Sequence, residues 1–210
     1  MYKMNLYKQI FKRVLDVCIS IIVLIICSPI IIILSILIKS TSEGPVFFKQ
    51  KRLGLNGENF FIYKFRTMCV GAETIGDGLT IKTASDNRIT KVGGFLRKTG
   101  LDELPQLINI IIGDMSLIGP RPPVTYFPYD GFDAYPEWAK KRFTVRPGIT
   151  GLAQCTVRNS VSWDKRIEID LQYIEEISFT NDLKIIYKTI LKVFKIQDIY
   201  DEGKITRDKE

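Results

Sequence analysis

From Val17 to Ile38 the chain carries no charge and is almost unbroken Ile, Val and Leu, with Ser28-Pro29 interrupting it in the middle. At about 1.5 Å of rise per helical residue the run is about as long as a bilayer's hydrocarbon core is thick, which predicts a helix embedded in lipid. Proline removes a backbone donor and crowds the preceding turn, and Ser28 can hydrogen-bond a carbonyl freed in this way, so a bend is expected at Ser28-Pro29. Lys3, Lys8, Lys12 and Arg13 precede the run, and Lys39, Lys49, Lys51 and Arg52 follow it. The positive-inside tendency draws both ends to the cytoplasmic side. The expectation is therefore a re-entrant, hairpin-like helix within residues 1–40, with a single straight anchor as the alternative. The stretch is too long for a signal peptide, and no small-residue cleavage site follows it.

Beyond it, Val46-Phe47-Phe48 and the aromatic, β-branched run from Phe60 to Arg66 flank the turn-rich Gly54-Leu55-Asn56-Gly57. This predicts a β-hairpin. Residues 71–86 read as a loop. A helix is expected from Asp102, as its cap, through Leu104, Leu107, Ile108, Ile111 and Ile112 to Gly113. Stiff Pro/Gly loops follow at 119–123 and 146–151, then helices over about 163–178 and 182–196. The last sets Leu183, Ile186, Ile190, Val193 and Phe194 against Lys184, Lys188, Lys192 and Lys195. That pattern suits a helix lying on an anionic membrane as well as one packed on a core with a solvated lysine face. The fold class is α/β (α+β), a membrane-embedded unit divided into the lipid-inserted residues 1–40, a domain over 41–199 and a polar tail over 200–210.

Composition narrows the chemistry. The 210 residues allow the membrane segment and one modest domain. No histidine is present, so any acid, base or nucleophile is a carboxylate, Lys, Tyr, Ser or Cys. Cys18, Cys27, Cys69 and Cys155 lack metal-ligand spacing. A formal charge of +7 implies anionic partners.

The adjacent acids Asp102 and Glu103 point about 100° apart on a helix, yet at a helix start both can reach one cavity. One could attack phosphorus while the other holds a divalent cation, although acids at a helix N-terminus are also ordinary capping. Trp163, Ile167, Asp170, Ile174 and Ile177 share one helical stripe, which puts the Asp170 carboxylate among apolar neighbours. There it needs a partner, in a plain salt bridge or a functional role, unless Leu171 rotates the stripe and leaves it at the edge. Lys64, Arg66, Arg88, Arg97, Arg121, Arg142, Arg146 and Arg158 could bind phosphate oxygens if they converge. The aromatics of 60–65 alternate as a half-buried strand should, so nucleic-acid binding is not expected.

Ser28-Pro29, Gly44-Pro45-Val46-Phe47-Phe48-Lys49-Gln50, Tyr63-Lys64-Phe65-Arg66-Thr67-Met68, the run from Arg97 to Gln106, the run from Gly113 to Pro122 and the run from Arg146 to Gln154 together resemble the small monotopic phosphoglycosyl transferases, bacterial sugar transferases of capsule and exopolysaccharide assembly. The resemblance covers about residues 8 to 196. It implies transfer of a sugar 1-phosphate from a UDP-sugar to undecaprenyl (polyprenyl) phosphate, with release of UMP, at the cytoplasmic face of the bacterial inner membrane. By the same resemblance Asp102 is the nucleophile that forms an aspartyl-phosphosugar intermediate, and Glu103 serves Mg²⁺. Arg97 contacts phosphate, Arg121 faces the nucleotide and Asp170 supports the site. Membrane lipid and downstream glycosyltransferases are the further implied partners. One departure is the sequence Cys155-Thr156-Val157-Arg158-Asn159 where the family usually has a Gly-Arg-Asn turn, because valine tolerates positive φ poorly. If that loop closes the site, the alternative is a non-catalytic membrane scaffold that binds nucleotide sugars or partner transferases.

Overall fold

The computed structural model describes residues 7–75, 86–157 and 160–194. A short π-helical turn, Tyr7–Phe11, leads into α1 (Lys12–Thr41), 30 residues of continuous helix. Pro29 has no N–H to offer the Ile25 carbonyl, and Ser28 Oγ donates to that carbonyl at 2.8 Å instead. With the lost bond replaced, helical structure continues through Pro29 and α1 is a single element. Its outer side stays apolar and uncovered, with Ile25 and Ile26 each 68% exposed. It is long and apolar enough to cross a membrane. Both of its ends nevertheless pack on the same unit. Arg13 hydrogen-bonds the carbonyls of Ile110 and Ile111, and Leu34 and Ile38 join Phe65 and Leu96 in a buried cluster.

The hairpin forms as the aromatic and β-branched runs predict. β1 (Phe47–Leu53) pairs antiparallel with β2 (Asn59–Phe65), and Asn56 turns at φ 54° between them. The next helix, α2 (Lys91–Thr99), is not signalled by the sequence pattern. Thr90 caps it by accepting the Gly93 amide, and Gly100 ends it at φ 73°. Asp102 then lies on a single 3₁₀ turn, Leu101–Glu103, and is not a helix cap. The apolar helix α3 (Gln106–Ile112) starts one turn later than expected and stops at Gly113, where φ is 108°.

β3 (Ser116–Ile118) is followed by a one-turn helix, α4 (Glu137–Lys140), and by β4 (Gly148–Thr150), which pairs parallel to β3. That ladder brings the two Pro/Gly loops side by side. Gly119 donates to the Thr150 carbonyl at 2.9 Å, and Gly148 donates to that of Pro120 at 2.9 Å. A side chain on Gly119 or Gly148 would overlap the neighbouring backbone. α5 (Leu152–Thr156), α6 (Trp163–Glu175) and α7 (Phe179–Phe194) complete the unit. Val157, which ends α5, sits at φ −107° and ψ −21°. Valine adopts this right-handed conformation without strain, so the expected distortion from positive φ does not arise.

α7 has two apolar faces. One buries Asp182 and Ile185 and packs Ile186 with Tyr173 and Ile177, while Phe179, Leu183, Tyr187, Ile190 and Leu191 form an exposed stripe. The apolar positions that the sequence pattern treated as one face are thus divided, with Ile186 in the core and Leu183 and Ile190 exposed. Most of the 71–86 loop, the end of the last helix at 195–196 and the 200–210 tail fall outside the described residues.

α2 lies so close to the chain after β2 that a Cβ on Gly93 would overlap the Thr67 carbonyl. Gly93→Ala is expected to cost about 1–3 kcal/mol through forced displacement of α2, read as a lowered unfolding midpoint of the detergent-solubilised protein. An unchanged midpoint would show that the helix has room to shift.

Candidate active site

Two short-range features place the acids. The left-handed Gly100 reverses the chain after α2, and the 3₁₀ turn that follows presents Asp102 and Glu103 together before α3 begins. Opposite them β2 supplies Lys64, whose Nζ is 2.6 Å from Glu103 Oε1 and 3.9 Å from Asp102 Oδ2. Arg121, in the Pro-Arg-Pro loop after β3, approaches the same Glu103 oxygen at 3.5 Å. Arg97 reaches over from α2, donating through Nε to Thr67 Oγ1 at 2.9 Å.

These residues line one cavity of about 620 Å³. Its walls carry Lys64, Arg97, Lys98, Arg121, Arg142, Arg166 and Lys192 against the carboxylates of Asp102, Glu103 and Asp170. The excess of cations suits it to an anionic ligand. Val23 of α1 also lines it, so the apolar helix forms part of the wall.

The two acids are driven apart in character. Burial pushes Asp102 above the usual carboxylate range, and the charge of Glu103 adds to the shift while Lys64 opposes it. Burial acts on Glu103 in the same direction, but Lys64 and Arg121 outweigh it and hold Glu103 down at about 2. A neighbouring pair split in this way is suited to two different tasks. Mg²⁺ is commonly held by one or two carboxylates together with substrate phosphates. Glu103, whose charged form Lys64 and Arg121 favour, fits that mode. Among the described residues no group of three or more acids or cysteines converges to form a complete metal cage.

Asp170 is 2% exposed and makes an ion pair with Arg142 at 2.7 Å, on the cavity wall. Burial raises its pKa, opposed by Arg142. Arg142 also donates to the Arg121 backbone carbonyl at 3.1 Å, so the pair steadies the loop that presents Arg121.

The other basic residues separate by location. Arg66 is buried and donates to the Ser42 carbonyl and Oγ, both at 2.8 Å, tying the end of β2 to the chain after α1. Arg146 donates to the Gly113 carbonyl at 2.8 Å, at the end of α3. Neither lines the cavity, and both satisfy backbone carbonyls instead of facing a ligand. Arg88 is held by Asp86 and by the carbonyls of Ala72 and Ile75. Arg158 lies outside the described residues. Arg166, which the sequence pattern does not single out, joins the wall together with Trp163 and Lys192, which it placed only on a helical stripe and a lysine face, because α6 and α7 fold back beside the acids.

Comparison with known proteins gives the following. The family model described as bacterial sugar transferase matches residues 7–196. The chain is 41% identical over 202 residues to the uncharacterized sugar transferase EpsL of Bacillus subtilis (strain 168), covering 96% of each. It is 44% identical over 202 residues to the galactosyl transferase CpsE of Streptococcus agalactiae serotype III (strain NEM316), covering 90% of this chain and 44% of that protein. It is 38% identical over 191 residues to the UDP-glucose:undecaprenyl-phosphate glucose-1-phosphate transferase of Escherichia coli (strain K12), covering 89% of this chain and 40% of that protein. The chain thus spans nearly all of the first relative and less than half of the other two.

Removing one member of the Arg142–Asp170 pair leaves a buried charge without its partner. Asp170→Ala is expected to lower stability by about 3–5 kcal/mol, whereas the double change Arg142→Met with Asp170→Leu restores most of that loss. Denaturant unfolding of the three proteins checks this, and equal losses in single and double variants would contradict it.

Proposed function

The chain belongs to the bacterial sugar transferase family, and from that premise we propose that it moves a sugar 1-phosphate from a UDP-sugar to undecaprenyl phosphate, releasing UMP, as a membrane step of glycan assembly. The observation that carries this reading is the unlike acid pair Asp102 and Glu103 in a cavity otherwise lined by cations, one wall of which belongs to the apolar helix.

In the proposed reaction an Asp102 carboxylate oxygen attacks the phosphorus that bears the sugar. The bond from that phosphorus to the bridging oxygen breaks, and UMP leaves with the electron pair. A phosphate oxygen of the polyprenyl phosphate then attacks the aspartyl-phosphosugar and returns Asp102 as a carboxylate. Neither displacement requires a proton to move, which accords with a chain that has no histidine. Lys64, Arg97 and Arg121 neutralise the charge that gathers on the phosphate oxygens, in a site whose low dielectric strengthens the effect. Glu103 would hold Mg²⁺, which when bound adds charge neutralisation at the diphosphate.

The same geometry supports a membrane arrangement. α1 is uncovered on its outer side yet packs at both ends on one unit. Exposed apolar residues continue on α3 at Ile108 and Ile112 and on α7 along Phe179, Leu183 and Tyr187. These surfaces favour a unit seated in one face of the bilayer, the cytoplasmic one, where UDP-sugars are available. The ordinary conformation of Val157 supports this reading over that of a scaffold.

Asp102→Asn keeps the shape of the side chain and removes the nucleophile. UMP release by the purified protein, with Mg²⁺, undecaprenyl phosphate and a panel of UDP-sugars, is expected to fall by about three orders of magnitude or more in this variant. Near-normal release from Asp102→Asn would refute the assigned nucleophile.

A further inference from the structure

Among the described residues β2 has a single strand partner, β1, in a two-stranded sheet. Its other edge therefore presents peptide groups that need partners in the interior. Asn109, in the middle of α3, supplies them with its side chain. Its Oδ1 accepts the Tyr63 N–H at 3.0 Å, and its Nδ2 donates to the Phe61 carbonyl at 2.7 Å. The carboxamide takes the place that a peptide group of a third strand would occupy. A second donation, to Asp114 Oδ2 at 3.1 Å, completes the amide, and the side chain is fully buried.

Asn109 thus joins the two elements on which the reacting groups stand. On one side of the joint, the residue after Tyr63 is Lys64, which contacts both acids. On the other, α3 continues directly from the turn that carries Asp102 and Glu103. An apolar side chain would fill the same volume but leave the Tyr63 N–H and Phe61 carbonyl unpaired, and β2 would be free to slide along α3.

We infer that Asn109 is a positioning residue, whose side-chain amide sets the register of β2 on α3 and so holds the Lys64 ammonium against Asp102 and Glu103. The inference rests on the reaction proposed above and adds to it a residue that touches no substrate. Its effect travels through Lys64, so the two residues act as a unit and their losses do not add.

The test is a kinetic double-mutant cycle of Asn109→Ala and Lys64→Met, measured as UMP release with saturating undecaprenyl phosphate, on variants shown to be folded by cooperative thermal unfolding. Asn109→Ala is expected to lower kcat by about ten- to a hundredfold, as a misplacement of about 1 Å does, with KM for the UDP-sugar within about twofold of wild type. In the Lys64→Met background it is expected to cost nothing further. A purely structural asparagine would lower the rate by the same factor in both backgrounds, and that result, or a change confined to KM, would overturn the inference. Should Asn109→Ala not fold, Asn109→Asp is read in the same way, since it keeps the acceptor for Tyr63 but as a carboxylate cannot donate to Phe61. Absence of UMP release from the wild-type protein would instead overturn the reaction, and with it this role. An active wild type whose Asn109 effect is additive would overturn the positioning role alone.

Discussion

A helix of 30 residues that is apolar on nearly every side presents more hydrocarbon than a unit of this size can cover. The remainder of the chain is built along one side of α1, leaving the other side for lipid. Where α1 meets the unit, the seam is polar at its beginning and apolar further along. Lys12 and Tyr7 both reach Asp182 of α7, at 2.6 and 2.7 Å, and Tyr173 of α6 donates to the other oxygen of that carboxylate at 2.8 Å. Asp16 accepts a hydrogen bond from Ser116 of β3. Further on, Val23 and Leu24 pack beside Ile62, Leu107 and Ile110, and Leu34 and Ile38 beside Phe65 and Leu96. The polar seam fixes which face of α1 turns inward, because rotating the helix would strand Asp16 away from Ser116 and take Lys12 from Asp182.

The site inherits its strength from this construction. Each wall comes from a different element: the acids from the turn before α3, Lys64 from β2, Arg97 from α2, Arg121 from the loop after β3, and Arg142 and Asp170 from the far side. Local chain stiffness alone would not keep such a set aligned. It is held by long-range bonds between side chains and backbone, in which Asn109, Arg13, Arg142 and Arg146 each tie one element to another. Several arginines that look like ligand binders therefore serve as struts, and the cations left to face the cavity are the ones that set its charge.

The elements that follow a simple period were legible in the sequence. The lipid-length helix, the hairpin and the two C-terminal helices all stand near the positions predicted, and Asp170 betrayed itself as a polar intruder in an apolar stripe. The convergence of Lys64 with Asp102 and Glu103 was not visible, since it depends on the pairing of β2 with α3 through a side chain. α2 was hidden by Gly93-Gly94, which lower helix propensity, although Gly93 is there because Thr67 leaves no room for a side chain. The start of α3 was misplaced because an acid beside a helix reads as a cap, whereas here the acids belong to a separate turn. Arg66 and Arg146 had the charge of ligand contacts, and nothing in their spacing showed that carbonyls of Ser42 and Gly113 would claim them. The second apolar face of α7 was merged with the first, because a helix with one exposed apolar side and one packed side has no clean polar face.

Arg13 lies near the beginning of α1 and grips the last turn of α3, whose opposite end adjoins the turn bearing Asp102. Asp102 is thus tied to the apolar helix through one short element and by no flexible tether. In mechanical terms α3 is a lever fixed at one end to α1 and bearing the acid pair at the other, so a displacement of α1 is passed to the acids.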